Sequence, residues 1–156
     1  METKLDIMQT IKDGVKYGLK NFLPLILFLI ACGISFSTGT SWGTFGIMIP
    51  IVCGIFDPGS PMLTVAIAAA MGGAVMGDHC SPISDTTIMA SAGAGCNHVN
   101  HVNTQLPYAL LVAAVSFVAY LVAPFLKTWH VALPVAIVLM IVTLFIVRAF
   151  CAPKKA

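Results

Sequence analysis

The sequence predicts an all-α integral membrane protein containing a re-entrant helical hairpin and a discontinuous helix, and three observations carry that prediction. Hydrophobic residues make up 58% of the 156 and charged residues only 9%, with a mean hydropathy of +0.95. Apolar runs at residues 106–126 and 131–147 approach or reach the roughly 20 residues that a helix needs to cross a hydrocarbon core about 30 Å thick. The one crowd of polar side chains, GDHCSPISDTT at residues 77–87, holds Asp78 and Asp85, two of only six acidic residues, between apolar flanks. Ionisable groups at membrane depth are costly, so such a cluster marks a functional site by default.

Residues 1–21 are expected to form an amphipathic helix in the membrane interface. Ile7, Met8, Ile11, Val15 and Leu19 recur at helical spacing, opposite Lys12, Asp13, Lys16 and Lys20. Charges spread through this segment leave no signal-peptide pattern, so the chain is expected to enter the membrane unprocessed. Residues 22–156 then form the transmembrane domain. Residues 22–36 and 43–56 are apolar arms around Ser37-Thr38-Gly39-Thr40-Ser41, each too short to cross comfortably, which predicts a re-entrant hairpin over 22–56 with this tip inside the membrane. Asp57-Pro58-Gly59-Ser60-Pro61 is a turn.

A helix then begins at residue 62, with Ala69, Gly73 and Gly77 on a face that permits close approach of another helix. Pro82 cannot continue it and disfavours helical geometry at Ser81, so the chain opens near residues 80–83. Ser84 is the expected N-cap of a second half-helix, with Asp85 in its first turn, giving a broken helix over 62–94. Polar residues 96–105, including His98 and His101, read as a loop. Spanning helices at 106–126 and 131–147 complete the chain, joined by a turn in which Trp129 is an interfacial anchor.

The five cysteines fall singly with no CxxC spacing and read as free thiols, and a net charge of +2 gives no reason to expect a nucleic-acid partner. With a hairpin, the basic residues divide five to three across the membrane, the amino terminus and Lys127 opposing Arg148, Lys154 and Lys155. No acyl-transfer motif surrounds Ser81 and His79, so an enzyme is not expected.

The motifs resemble those of the carboxyl-terminal half of the NhaC-type Na+/H+ antiporters. The resemblance rests on STGTSWGT at residues 37–44, GDHCSPISDTT at 77–87 and the GAGC…H…H…TQLPYA run over 93–109, in that order. It implies one inverted-repeat half of a secondary transporter in the cell membrane, whose central site lies between two halves. Family members are much longer, so the resemblance also implies a missing first half: the chain is a truncated or half-transporter, completed by the lipid bilayer and by a separate first-half subunit or a second copy of itself. The expected cation and proton ligands are Asp78, Asp85, Ser81, Ser84, Thr86 and Thr87, with Thr38, Thr40 and Ser41 from the tip, an oxygen-rich set suited to a hard cation. Asp85, supported by a helix amino terminus, is the expected cation ligand, and Asp78, at a helix carboxyl terminus, the expected proton carrier. Na+ and H+ are the expected transported ions, with no cofactor and no resident metal. Coupled transport of an organic acid or amino acid, or a non-transporting accessory fragment, are the alternatives.

Overall fold

The computed structural model describes residues 2–126 and 128–151. The regular elements among the described residues are six helices: α1 Glu2–Thr38, α2 Ser41–Ile55, α3 Pro61–Cys80, α4 Asp85–Gly93, α5 His98–Leu126 and α6 Trp129–Cys151. Four stretches are long and apolar enough to cross a membrane: Asn21–Thr38, Pro61–Cys80, His98–Leu126 and Trp129–Phe150. Helix α2, at 15 residues, is shorter.

Helix α1 runs unbroken through residue 21 and through Pro24, so the boundary between its charged and apolar parts is one of composition and not of secondary structure. The side chains of residues 2–8, 11, 15–17 and 20, on which the amphipathic pattern rests, lie outside the described residues, as do Lys127, Lys154 and Lys155.

Helices α1 and α3 form the closest pair because α3 presents glycine to α1 on successive turns. A β-carbon at Gly73 would run into the Phe28 carbonyl, and one at Gly77 into the Cys32 carbonyl and the Phe36 nitrogen. One turn further, Ser81 Oγ donates to the Phe36 carbonyl at 2.8 Å. These pairings advance together along both helices, which are therefore parallel. Helix α5 returns antiparallel to α3, since Tyr120 Oη donates to the Ala68 carbonyl at 3.0 Å and Gln105 Nε2 to that of His79 at 3.2 Å.

The core lies between the first three helices, where Leu27 and Ala31 meet Met48, Val52 and Phe56, and Ala66, Ala70 and Ala74. Each inward stripe advances by four residues, the spacing that keeps side chains on one helix face. Each stripe also turns polar at its next step, to Ser35 on α1, Thr44 on α2 and Asp78 on α3, all buried. The apolar core thus ends in a buried polar cluster, the chamber around Asp78.

The expected loop at residues 96–105 is a correction: only Asn97 and the residues before it are irregular, and α5 is helical from His98. Asn97 Oδ1 accepts from the Asn100 backbone nitrogen at 3.2 Å, capping the helix. Polar composition was mistaken there for the absence of a helix.

Candidate functional site

Four helix ends meet at the chamber. Helices α1 and α3 bring their carboxyl termini, α2 and α4 their amino termini. Two interruptions create them. Gly39 adopts φ of 69° between α1 and α2, a left-handed conformation that suits glycine. Between α3 and α4, Ser81 and Ser84 are both extended, with ψ of 127° and 131°, because Pro82 has no N–H to offer the ladder.

The two breaks are stitched together. Asp85 N donates to the Gly39 carbonyl at 3.1 Å, and a β-carbon on Gly39 would sit 2.5 Å from the Ile83 carbonyl oxygen. Backbone groups that the helices leave unpaired therefore find each other, a requirement wherever water is scarce.

Asp78 occupies the centre, 1% exposed. Ser84 Oγ donates to its Oδ1 at 2.6 Å. Ser41 Oγ lies 3.2 Å from Oδ2 and Thr86 Oγ1 3.1 Å from the same oxygen. Ser84 Oγ also accepts the Thr87 backbone nitrogen at 3.3 Å, so one hydroxyl caps α4 and holds the carboxylate. Thr86 Oγ1 is 2.8 Å from Ser84 Oγ. Among the described residues no basic side chain pairs with Asp78. The neighbouring His79 turns away, its Nδ1 bonded to the Val75 carbonyl at 2.8 Å.

Of the residues expected from the sequence, the structure brings Asp78, Ser41, Ser84 and Thr86 into direct contact and buries Thr87 beside them. Ser81 is buried but serves the α1–α3 seam through Phe36. Asp85 does not join: it is exposed, and its Oδ1 accepts the Thr86 nitrogen at 2.7 Å. Thr38 Oγ1 is also exposed and returns to the Ile34 carbonyl at 2.9 Å. Thr40 is the N-cap residue of α2 without a side-chain capping bond.

Sequence reasoning missed Ser35 and Thr44, whose signal was the four-residue stripe continuing Leu27–Ala31 and Val52–Met48 into the polar level. It also missed His98, which clamps the break from outside. One ring nitrogen, Nε2, lies 2.7 Å from the Pro82 carbonyl and the other, Nδ1, 3.0 Å from Ser91 Oγ on α4. Nothing in the spacing of His98 and His101 announces this contact, which depends on the chain reversing after α4.

Electrostatically the helix ends at Asp78 oppose one another. The amino termini of α2 and α4 favour a carboxylate, while the carboxyl termini of α1 and α3 favour a cation beside it. Hydroxyl groups suit both states, donating to a bare carboxylate or turning their lone pairs toward a cation.

Residues 5–125 match the profile of the Na+/H+ antiporter family. The chain belongs to that family. It is 49% identical over 128 residues to an uncharacterized protein of Haemophilus influenzae, an alignment covering 81% of this chain and 25% of the relative. A Haemophilus influenzae protein named as an uncharacterized Na+/H+ antiporter is 37% identical, with 71% of this chain and 25% of the relative covered. The malate-2H+/Na+-lactate antiporter of Bacillus subtilis is 36% identical, with 72% and 25% covered. The chain thus spans about a quarter of the length of the curated relatives it matches. No solved structure matches. Family and apolar helices together make this a multi-pass membrane protein of a transporter family, with the Asp78 chamber inside the matched region.

Proposed function

We propose that the chain carries the ion site of a Na+/H+ antiporter, as one half of an inverted-repeat secondary transporter in which α1 and α2 form a re-entrant hairpin and α3 and α4 a discontinuous helix. The observation that carries this reading is Asp78, a buried carboxylate met by hydroxyls from two other helix ends and by no basic group among the described residues. A buried charge is costly unless neutralised. A proton neutralises Asp78 covalently and Na+ does so electrostatically, and a carboxylate holding one has lost most of its attraction for the other. Competition at one carboxylate, exposed alternately to the two sides, is exchange.

Asp78 thus takes both roles in this reading, and Asp85 supplies charge at the amino terminus of α4. The 15 residues of α2 extend about 22 Å, short of a hydrocarbon core, and its core stripe Phe56, Val52, Met48 runs back along Leu27 and Ala31 of α1, which supports a hairpin entering and leaving by the same face. The exposed Asp85 supports completion of the site by a counterpart, either a separate first-half subunit or a second copy.

One relative's name includes malate and lactate, which makes an organic acid the second cargo to consider. The absence of a basic side chain at Asp78 among the described residues favours the inorganic ion, since an organic carboxylate needs a cationic partner. Proteoliposomes carrying an internal pH dye test the reading: an inward Na+ gradient drives proton efflux, and Asp78→Asn abolishes it. Flux only on co-reconstitution with a first-half subunit identifies a half-transporter, and no flux in either case identifies a non-transporting fragment.

A further inference from the structure

Among the described residues two buried side-chain oxygens have no hydrogen-bond partner, Ser35 Oγ and Thr87 Oγ1. Folded proteins pair nearly all such groups, so two orphans need a reason. Both lie next to the Asp78 cluster along the chain or along a helix stripe: Thr87 follows Thr86 on α4, and Ser35 follows Leu27 and Ala31 at the level where Asp78 follows Ala74. The backbone nitrogen of Thr87 is bonded to Ser84 Oγ, itself 2.6 Å from Asp78 Oδ1. Ser35 is wholly buried at the polar end of the α1 stripe, its carbonyl accepting Gly39 N at 2.8 Å and the next residue's carbonyl accepting Ser81 Oγ. It is bracketed by the two breaks.

The neighbouring hydroxyls have local tasks and these two do not. Thr44 Oγ1 donates to the Thr40 carbonyl at 3.0 Å, and Ser91 Oγ to that of Ile88 at 2.9 Å. A serine could return its proton to its own helix in the same way, as Ser37 does to Gly33 at 2.8 Å. Ser35, two residues earlier on the same helix, does not.

We propose that Ser35 is a direct oxygen ligand of the transported cation and that Thr87 is its counterpart from α4, so that the ion is held by oxygens from all four helix ends around Asp78. This rests on the reading of Asp78 as the ion site and extends it to α1, which otherwise gives that site no side chain. The chemistry fits a small hard cation, which takes several neutral oxygens beside one carboxylate.

A ligand hydroxyl and a structural hydroxyl differ in thermodynamic sign. An unpaired buried hydroxyl destabilises the ion-free protein, so removing it stabilises that state, while removing a ligand weakens ion binding. The experiment uses the full chain in lipid nanodiscs, with Na+ as the probe and choline as the ionic-strength control, reading thermal unfolding and calorimetric Na+ affinity. Ser35→Ala and Thr87→Val are expected to unfold no lower than the parent without Na+, while Na+ affinity falls about tenfold in each. Thr87→Ser is expected to restore affinity, and Ser35→Cys, close in volume with a soft donor, to behave as Ser35→Ala even if the alanine variant folds poorly. If the parent binds Na+ and Asp78→Asn does not, yet Ser35→Ala and Ser35→Cys bind as the parent does, the ligand assignment is overturned and the reading of Asp78 stands. If the parent shows no binding that Asp78→Asn removes, both fall.

Discussion

Replacing Gly73 or Gly77 by alanine adds one methyl group at the place where the structure has least room for it. At Gly73 the new β-carbon would lie 2.8 Å from the Phe28 carbonyl carbon and 2.9 Å from its α-carbon, with the carbonyl oxygen closer still. At Gly77 it would lie 2.9 Å from Phe36 N and 3.0 Å from the Cys32 carbonyl carbon. These are backbone atoms, so no rotamer change relieves them and α1 must move away from α3 by a substantial part of an ångström. Overpacking of this kind costs about 1–3 kcal/mol, and a rigid helix pair belongs at the upper end. Helix propensity works the other way, alanine being better than glycine by up to about 1 kcal/mol. Gly54→Ala, where a β-carbon meets nothing within 4 Å, isolates that favourable term. The expected net loss is about 2 kcal/mol at Gly73 or Gly77, against none at Gly54. Because Ser81 Oγ reaches Phe36 across the same seam, Na+ affinity should fall with stability. Denaturant titration of the three variants in mixed micelles, with Na+ titrations on the folded fraction, measures both. Gly73→Ala as stable as Gly54→Ala would refute the close packing of α1 on α3.

Three further outcomes are expected. Gly39→Ala, which needs a left-handed alanine 2.5 Å from the Ile83 carbonyl oxygen, should separate the two breaks, read as faster hydrogen exchange at the Asp85 amide; unchanged exchange there contradicts the seam. Ser84→Ala removes a helix cap and the 2.6 Å bond to Asp78 together, so it should cost about 1–3 kcal/mol and weaken Na+ binding more than Thr38→Ala, whose hydroxyl lies outside the cluster. His98→Ala should speed exchange over the Ser84–Ile88 amides while His101→Ala does not, since only His98 joins Pro82 to Ser91; equal effects would remove the clamp from the account.

The break was legible in the sequence because proline leaves the chain few choices: Pro82 stops one helix, and Ser84 with Asp85 at its first turn starts the next. The glycine face of α3 was legible for a similar reason, since a missing β-carbon has meaning without knowledge of the partner. The division of labour within the cluster was not. Asp78 and Asp85 both follow simple helix-end rules, and only the tertiary path shows that seven residues carry the chain from the buried side of the break to its exposed side. Ser35 was overlooked because a lone serine in an apolar run is unremarkable until three helices are aligned and their polar steps fall at one level. The helical start of α5 was hidden by the opposite bias, polar residues read as loop although Asn97 supplies an ordinary cap.

The central claim, that Na+ and H+ compete for Asp78, is tested most directly by calorimetric Na+ affinity of the chain in nanodiscs across a pH series, for the parent and Asp78→Asn. Na+ binding requires the deprotonated carboxylate, so acidification should weaken it, approaching about tenfold per pH unit at the acid end, with one proton released per Na+ bound. Asp78→Asn should show weak affinity that does not vary with pH. A parent affinity flat across the series, or a pH dependence that survives Asp78→Asn, would contradict exchange at this carboxylate.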